Sequence, residues 1–150
     1  MITQRIQLSA VLLCLILSHC DLVERSGDDT SKQYSVAIYD ATDELAIVGL
    51  LQIEPEPGDI AESVELTGSW QVTTRHESTV PVYLGDHGQL AGTLHRDGSF
   101  YLNMHPRFID HNLILSGVFS DRPWGNVKGQ WRFITEIGPS NSGTFDAVRR

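Results

Sequence analysis

Cysteine is nearly absent from this sequence of 150 residues. Its two cysteines, Cys14 and Cys20, both lie within the first twenty residues, and the chain beyond them has none. A disulfide therefore cannot stabilise the later part of the chain, and no cysteine nucleophile is available there. We expect that part to fold around an apolar core of its own.

Basic residues are also few. Eleven Lys and Arg stand against nineteen Asp and Glu, which gives a formal net charge of −8. Nucleic acids and anionic lipid surfaces both favour basic patches on their partners. The excess of acidic residues predicts no nucleic-acid partner, and we interpret it as promoting solubility rather than as an acidic docking surface.

Complete catalytic motifs are missing as well. The segment 76–80, which begins with His76-Glu77, resembles the start of the zinc-protease motif H-E-x-x-H, but Val80 occupies the second histidine position. Residues 138–143 miss the G-x-S-x-G pattern by one position, and there is no glycine-rich phosphate loop. The sequence therefore leaves enzyme activity open and favours a non-enzymatic role.

The first twenty residues have the layout of an export signal. Arg5 gives a basic start, an apolar run extends over 8–17, and small or polar residues follow. The run is shorter than the roughly 20 residues that a membrane-spanning helix needs. We predict a signal peptide over residues 1–20, with an uncleaved membrane anchor as the alternative.

The end of this segment, Leu17-Ser18-His19-Cys20, resembles the lipobox of bacterial lipoproteins, although His19 stands where that motif has a small residue. The resemblance implies acylation of Cys20 and attachment to a membrane through this lipid. Residues 21–33 are polar and predict a flexible tether that reaches about 40 Å when extended. The expected location is the cell envelope, with a secreted or soluble periplasmic protein as the alternative.

Residues 34–150 carry the pattern of a single all-β domain. Apolar and polar residues alternate in short stretches between turn signals, and no long segment after the signal keeps a helical apolar stripe. The predicted strands are 33–40, 45–53, 64–73, 80–84, 89–95, 99–104, 112–119, 126–134 and 142–148.

A glycine recurs between two apolar residues within several of these strands. The pattern apolar-x-Gly-x-apolar occurs at 66–70, 90–94, 115–119 and 127–131. Residues two apart share a face, so these glycines face the core. Because small inner residues let a sheet coil and close, we predict one antiparallel up-and-down meander that forms a small barrel, with a β-sandwich as the alternative.

The turn at Asp97-Gly98 can be assigned a register. A two-residue turn would mix polar and apolar residues on each face. A three-residue loop over 96–98 instead pairs Leu94 with Phe100, Gly92 with Leu102 and Leu90 with Met104, which places every apolar residue inside. We predict this longer loop, with Gly98 in the left-handed conformation.

The tripeptide Gly68-Ser69-Trp70 is similar to the G-x-W motif of lipocalins and avidins, the calycin-type barrels. The similarity covers residues 66–149 in outline and implies a ligand-holding barrel in which Arg132 or Arg149 packs across the tryptophan. Trp70 and Trp131 face inward by pattern, and they either line a ligand cavity or pack the core. Trp124 lies in a turn, where it either anchors a partner or plugs the barrel.

Histidines collect at one predicted end of the barrel. Alternate loops of a meander share an end, which groups the loops 54–63, 85–88, 105–111 and 135–141 and, opposite them, 41–44, 74–79, 96–98 and 120–125. The first group holds His87, His105 and His111 beside acidic residues. Such residues suit zinc or another divalent metal, and solvated loop residues are the alternative.

Three functions are compatible with these features. The leading hypothesis is a non-enzymatic binding or interaction module of the bacterial cell envelope, for a small apolar ligand or an envelope protein. The second is a metal-binding protein or metal-dependent enzyme that uses His87, His105 and His111, and no other cofactor is implied. The third is a purely structural envelope protein.

Overall fold

The computed structural model describes residues 31–57, 62–77, 82–108, 111–119 and 124–150. The predicted signal with Cys20, and residues 21–30 of the predicted tether, lie outside this part. The described chain forms eight strands and no helix, so the predicted all-β class is confirmed. The strands are β1 (Lys32–Tyr39), β2 (Leu45–Pro55), β3 (Ser63–Arg75), β4 (His87–His95), β5 (Ser99–Asn103), β6 (Asn112–Phe119), β7 (Val127–Thr135) and β8 (Gly138–Arg149).

The eight strands form a closed up-and-down barrel. Each strand pairs antiparallel with the next one along the chain, and β8 returns to pair with β1. The amide of Arg150 continues this seam by donating to the carbonyl of Gln33 at 2.9 Å. The barrel, and not the sandwich, is therefore the architecture. Among the described residues there is no helix that could cross a bilayer.

Rings occupy the space beside Gly129, one of the repeated glycines, and beside Gly88, whereas a Cβ on Gly68 or Gly92 would meet the backbone of a neighbouring strand. A Cβ on Gly129 would lie 2.5 Å from the ring of Phe145, and one on Gly88 would lie 2.7 Å from the indole of Trp70. Phe145 and Trp70 are only 1% and 3% exposed. Gly88 and Gly129 thus make room for large side chains that fill the barrel.

The predicted hairpin between β4 and β5 is confirmed. Leu94 pairs with Phe100 and Gly92 with Leu102. Gly98 adopts a φ of 83°, as the three-residue loop requires. Burial of the apolar face therefore selects this register over that of a two-residue turn.

The predicted strand 80–84 is wrong in its described part, because residues 82–85 are not in the sheet. Val82 and Leu84 instead pack against the core as part of the connection between β3 and β4. The sequence offers a reason, since Pro81 has no N–H to donate to a strand ladder. With one strand fewer, the distribution of loops between the two ends changes.

At one end, which we call the histidine end, the described connecting residues are 40–44, 76–77, 82–86, 104–108, 111 and 136–137. At the other, the tether end, they are 56–57, 62, 96–98 and 124–126, together with the start of β1 and the close of β8. The described residues of the acidic loop 54–63, which are 54–57, 62 and 63, therefore lie at the tether end, away from His105 and His111. Conversely, His76 and the turn 41–44 lie at the histidine end.

The first turn of the histidine end is organised by Asp40, which is only 2% exposed. Its Oδ1 accepts hydrogen bonds from the backbone N–H of Thr42 at 2.8 Å, the hydroxyl of Thr42 at 2.7 Å and the N–H of Glu44 at 3.0 Å. Three donors on one carboxylate oxygen offset the cost of burying the charge. The turn between β1 and β2 is thereby fixed.

The barrel interior is filled by side chains. Two voids lined by described core residues have volumes of about 10 Å³ each, which is close to the space of one water. Phe100 lies in ring contact with both Phe119 and Phe145, at centroid distances of 5.2 and 6.4 Å. Neither void could hold a small-molecule ligand, so a binding site has to be sought elsewhere.

Candidate functional site

A pocket of about 720 Å³ opens at the histidine end of the barrel. It lies between the segment that precedes β4, the loop between β5 and β6, and the facing ends of β7 and β8. Its walls are mainly aromatic and aliphatic. The lining residues are Tyr83, Leu84, Gly85, His105, Phe108, His111, Phe133, Thr135 and Ser140.

Aromatic contacts build one wall of this pocket from His105. Its ring meets the Trp70 indole edge-on, with centroids 5.5 Å apart, and Phe108 lies on its other side at 6.1 Å. The indole N–H of Trp70 donates to the carbonyl of Met104 at 2.8 Å, which fixes the residue before His105. The barrel core thus positions this wall.

The second wall is centred on Phe133, a buried residue near the end of β7. Tyr83 stacks at a tilt against it with centroids 5.2 Å apart, and His111 approaches it edge-on at 6.0 Å. His111 has a φ of 70°, an uncommon conformation for a residue other than glycine. This conformation accompanies the placement of the imidazole beside Phe133.

Arg75, at the end of β3, holds the segment that carries Tyr83 and Leu84. Its guanidinium donates to the carbonyls of Leu84 and Gly85, the latter at 2.7 Å, and pairs with the carboxylate of Asp86 at 3.1 Å. The planar guanidinium can serve several acceptors at once. Arg75 therefore supports this segment together with the N–H of Val72, which donates to the carbonyl of Asp86 at 2.7 Å.

His105 is the titratable group in the first wall. Burial lowers the pKa of its imidazole, because the charged form would lose hydration. Its Nδ1 is buried without a hydrogen-bond partner. Both facts favour the neutral ring, and no Asp, Glu, Lys or Arg is among the described residues that line the pocket. The site is therefore apolar and uncharged in character.

The three predicted metal ligands are not all together. His105 and His111 line the pocket, whereas His87 begins β4 and lines a groove on the outer wall. Across the described ranges, no group of three or more His, Cys, Asp and Glu side chains could hold a metal ion. Asp110, Asp59 and Ile109 lie outside those ranges.

The three tryptophans contribute to the core. Trp131 is fully buried and donates its indole N–H to the carbonyl of Tyr39 at 2.6 Å. Trp124 packs against the core at the tether end, with its ring 5.7 Å from that of Phe119. Its ring is therefore partly buried against the core, and its two predicted roles stay predictions.

The two arginines predicted to pack across a tryptophan lie elsewhere. Arg149 donates to the carbonyl of Trp124 at 3.3 Å. This bond directs its guanidinium to Trp124 rather than to Trp70. Arg132, an exposed residue, is paired with Ile114 on the outward face of β7. Trp70 instead has His105 beside it.

Sequence reasoning missed the aromatic members of the pocket, Tyr83, Phe108 and Phe133. Tyr83 and Phe108 are 56% and 63% exposed, and both lie outside the strands. For Phe108 the available signal was a large aromatic residue in a predicted loop, whereas Tyr83 fell within the predicted strand 80–84. Phe133 fitted the inward pattern of β7 and looked like ordinary core.

No family model matches the sequence, and comparison with curated proteins and with solved structures finds no match either.

Proposed function

We propose that this protein is a non-enzymatic binding module of the bacterial cell envelope that holds a small, neutral, ring-containing apolar ligand at the histidine end. The observation that carries the proposal is the pocket of about 720 Å³ between the walls of His105 and Phe133. Small-molecule sites typically have volumes of about 300–1,000 Å³, mostly apolar walls and few polar groups. This pocket has all three properties.

The wall chemistry supports an uncharged aromatic or alicyclic ligand. Flat rings favour the edge and face contacts that Tyr83, Phe108 and Phe133 offer. A charged ligand would have to be desolvated without an opposite charge among the lining residues. The hydroxyl of Ser140 and the imidazole of His111 remain as polar groups that could orient one substituent.

Titration with the neutral fluorophore N-phenyl-1-naphthylamine tests this proposal. We expect saturable binding of one molecule per chain, with a change in tryptophan emission because Trp70 adjoins the wall. The double variant Tyr83→Ser/Phe108→Ser should bind about 10- to 100-fold more weakly, since losing an apolar contact of this size costs about 1.5–3 kcal/mol. Both residues are exposed, so folding should persist.

The matched control is Tyr101→Ser, which removes an exposed aromatic residue of β5 that does not line the pocket. Its affinity for the fluorophore should equal that of the unaltered protein. Equal affinities for all three proteins, or binding that does not saturate, would exclude the pocket as the site.

The envelope location rests on the first twenty residues of the sequence. The basic start, the apolar run and the lipobox-like Leu17-Ser18-His19-Cys20 support export and acylation. Since β1 begins at the tether end, a lipid anchor on Cys20 would attach on the side of the barrel opposite the pocket. The domain would then present its pocket away from the membrane.

A further inference from the structure

Glutamine is concentrated at one place on the outer wall of the barrel. The chain has five glutamines after residue 30, and four of them line a single groove across β1 to β4. These are Gln33, Gln52, Gln71 and Gln89, one from each strand. The fifth, Gln130, lies on β7 outside the groove.

Strand register explains how these residues meet. Gln33 pairs with Gln52, Gln52 with Ser69, and Ser69 with Gln89, so four positions form one row across the strands. Gln71 belongs to the next row, two residues along β3. Adjacent strands are about 4.8 Å apart, so Gln33 and Gln52 are one strand spacing apart, whereas Gln52 and Gln89, with Ser69 between them, are two spacings apart. These intervals are comparable with one and two sugar rings.

The short side chain of Ser69 creates the depression. It lies between Gln52 and Gln89 across the strands and next to Gln71 along its own strand, and all three are longer. The groove has a volume of about 470 Å³, and Leu50 adds an apolar surface to it. It is on the outer wall and therefore separate from the pocket at the histidine end.

We propose that this groove binds a neutral oligosaccharide. Each glutamine amide carries two N–H donors and one acceptor oxygen, which matches hydroxyl groups that both donate and accept. The described lining contains no Asp, Glu or Lys, and its ionisable members are His87 and Arg150. The amide of Gln52 is oriented by donation to Glu54 at 2.9 Å. Leu50 offers a contact for the C–H face of a sugar. The proposal does not depend on the apolar ligand.

An NMR titration of the full mature chain, ¹⁵N-labelled, tests this site with cellotetraose and with the tetramer of N-acetylglucosamine. Glutamine side-chain NH₂ groups give their own signals. We expect shifts of those of Gln52, Gln71 and Gln89 that saturate with at least one probe, with a Kd on the order of 1 mM. The NH₂ signals of Gln130 should stay in place.

Two variants and one control sharpen the result. Gln71→Ala/Gln89→Ala removes two exposed amides and should weaken binding at least about 5-fold, because one hydrogen bond contributes about 1 kcal/mol. Ser69→Gln fills the depression and should abolish binding. Gln130→Ala should bind as the unaltered protein does.

Several outcomes would overturn the proposal. These are the absence of saturable shifts with both neutral probes, shifts at Gln130 as large as those in the groove, and equal affinity for Gln71→Ala/Gln89→Ala. Binding of an anionic oligosaccharide alone would also overturn it, because recognition would then rest on Arg150, which is among the residues that line the groove. If Ser69→Gln failed to fold, the double variant would decide the matter. Fluorophore binding at the histidine end should be the same in every variant.

Discussion

Asp40 shows how much one side chain contributes at the histidine end, because its carboxylate replaces missing backbone partners in a turn. Asp40→Ala should lower the free energy of unfolding by about 2–3 kcal/mol, since charged hydrogen bonds contribute more than neutral ones and the N–H groups would lose their acceptor. Chemical denaturation at pH 7 measures this loss.

Two further substitutions at acidic positions calibrate the effect of Asp40. Asp40→Asn keeps an acceptor oxygen and should cost less than Asp40→Ala. Glu65→Ala removes an exposed carboxylate from β3 and should leave stability nearly unchanged. A loss for Glu65→Ala equal to that of Asp40→Ala would contradict this account of the turn.

His105 gives the protein a pH dependence with a definite sign. Burial lowers the pKa of its imidazole in the folded state, so below the ordinary value of about 6.5 the unfolded chain binds the proton more readily. This residue therefore reduces stability as the pH falls from about 7 to 5. The free energy of unfolding of His105→Phe, relative to that of the unaltered protein, should therefore increase as the pH falls from about 7 to 5.

Denaturation curves at several pH values measure this difference. Tyr101→Phe, an exposed substitution on β5 that removes no imidazole, serves as the control and should follow the unaltered protein. If the His105→Phe and unaltered curves stayed parallel across the interval, the burial of His105 would have no consequence for stability.

At this scale the sequence predicted which aromatic residues fill the barrel but not those that form the pocket. Trp131 and Phe145 alternate with polar residues, and a strand has only two faces, so their direction follows from parity. Phe108 belongs to a loop whose path is set by local hydrogen bonds, such as that from Asn112 to its carbonyl at 2.8 Å. The spacing of apolar residues in the sequence does not predict the path of such a loop.

At the scale of one element, the segment before β4 depends on Arg75. Arg75→Ala should free residues 82–86, so that their amide hydrogens exchange faster and the fluorophore binds more weakly. Overall stability should change little, because exposed ion pairs contribute about 0–1 kcal/mol. Hydrogen exchange and the fluorophore titration together separate the local effect from a global one.

Lys128→Ala is the matched control for Arg75→Ala, because it breaks the ion pair with Asp146 at 3.1 Å on the outer wall of β7 and β8. It should leave exchange at 82–86 unchanged. Arg75→Lys keeps the charge but not the fork of donors, and should behave more like the alanine variant. If amide exchange at 82–86 were the same in Arg75→Ala as in the unaltered protein, Arg75 would not be what holds this segment in place.

The hairpin and this segment show why elements differ in predictability. Between β4 and β5, one register alone buries Leu94, Phe100 and Leu102 together, so the apolar pattern decides the loop. In the segment 80–84 the same alternation of apolar residues is satisfied differently, because Val82 and Leu84 reach the core without entering the sheet. Alternation of apolar residues identifies which side chains are buried. It does not show whether their backbone forms hydrogen bonds to a neighbouring strand.

At the scale of the whole molecule, the start of β1 and the pocket lie at opposite ends of the barrel, and the proposed lipid anchor would precede β1. We expect mass spectrometry of the mature protein from a bacterial host to find an acylated Cys20 at the N-terminus. Cys20→Ser should lose the acyl group and leave the membrane fraction, whereas Cys14→Ser should remain in it. An unmodified N-terminus at another residue would contradict the lipid anchor.

The seam between β1 and β8 has a consequence for the order of the chain. Gln33 and Arg150 are joined by a backbone hydrogen bond, so the two ends of the barrel sequence touch. A short linker between them and a cut in the loop 96–98 would give a circular permutant. Its eight strands would keep the same neighbours around the barrel. A cut at the histidine end would instead place the new N-terminus beside the pocket. If the predicted tether were attached there, the pocket would face the membrane rather than point away from it.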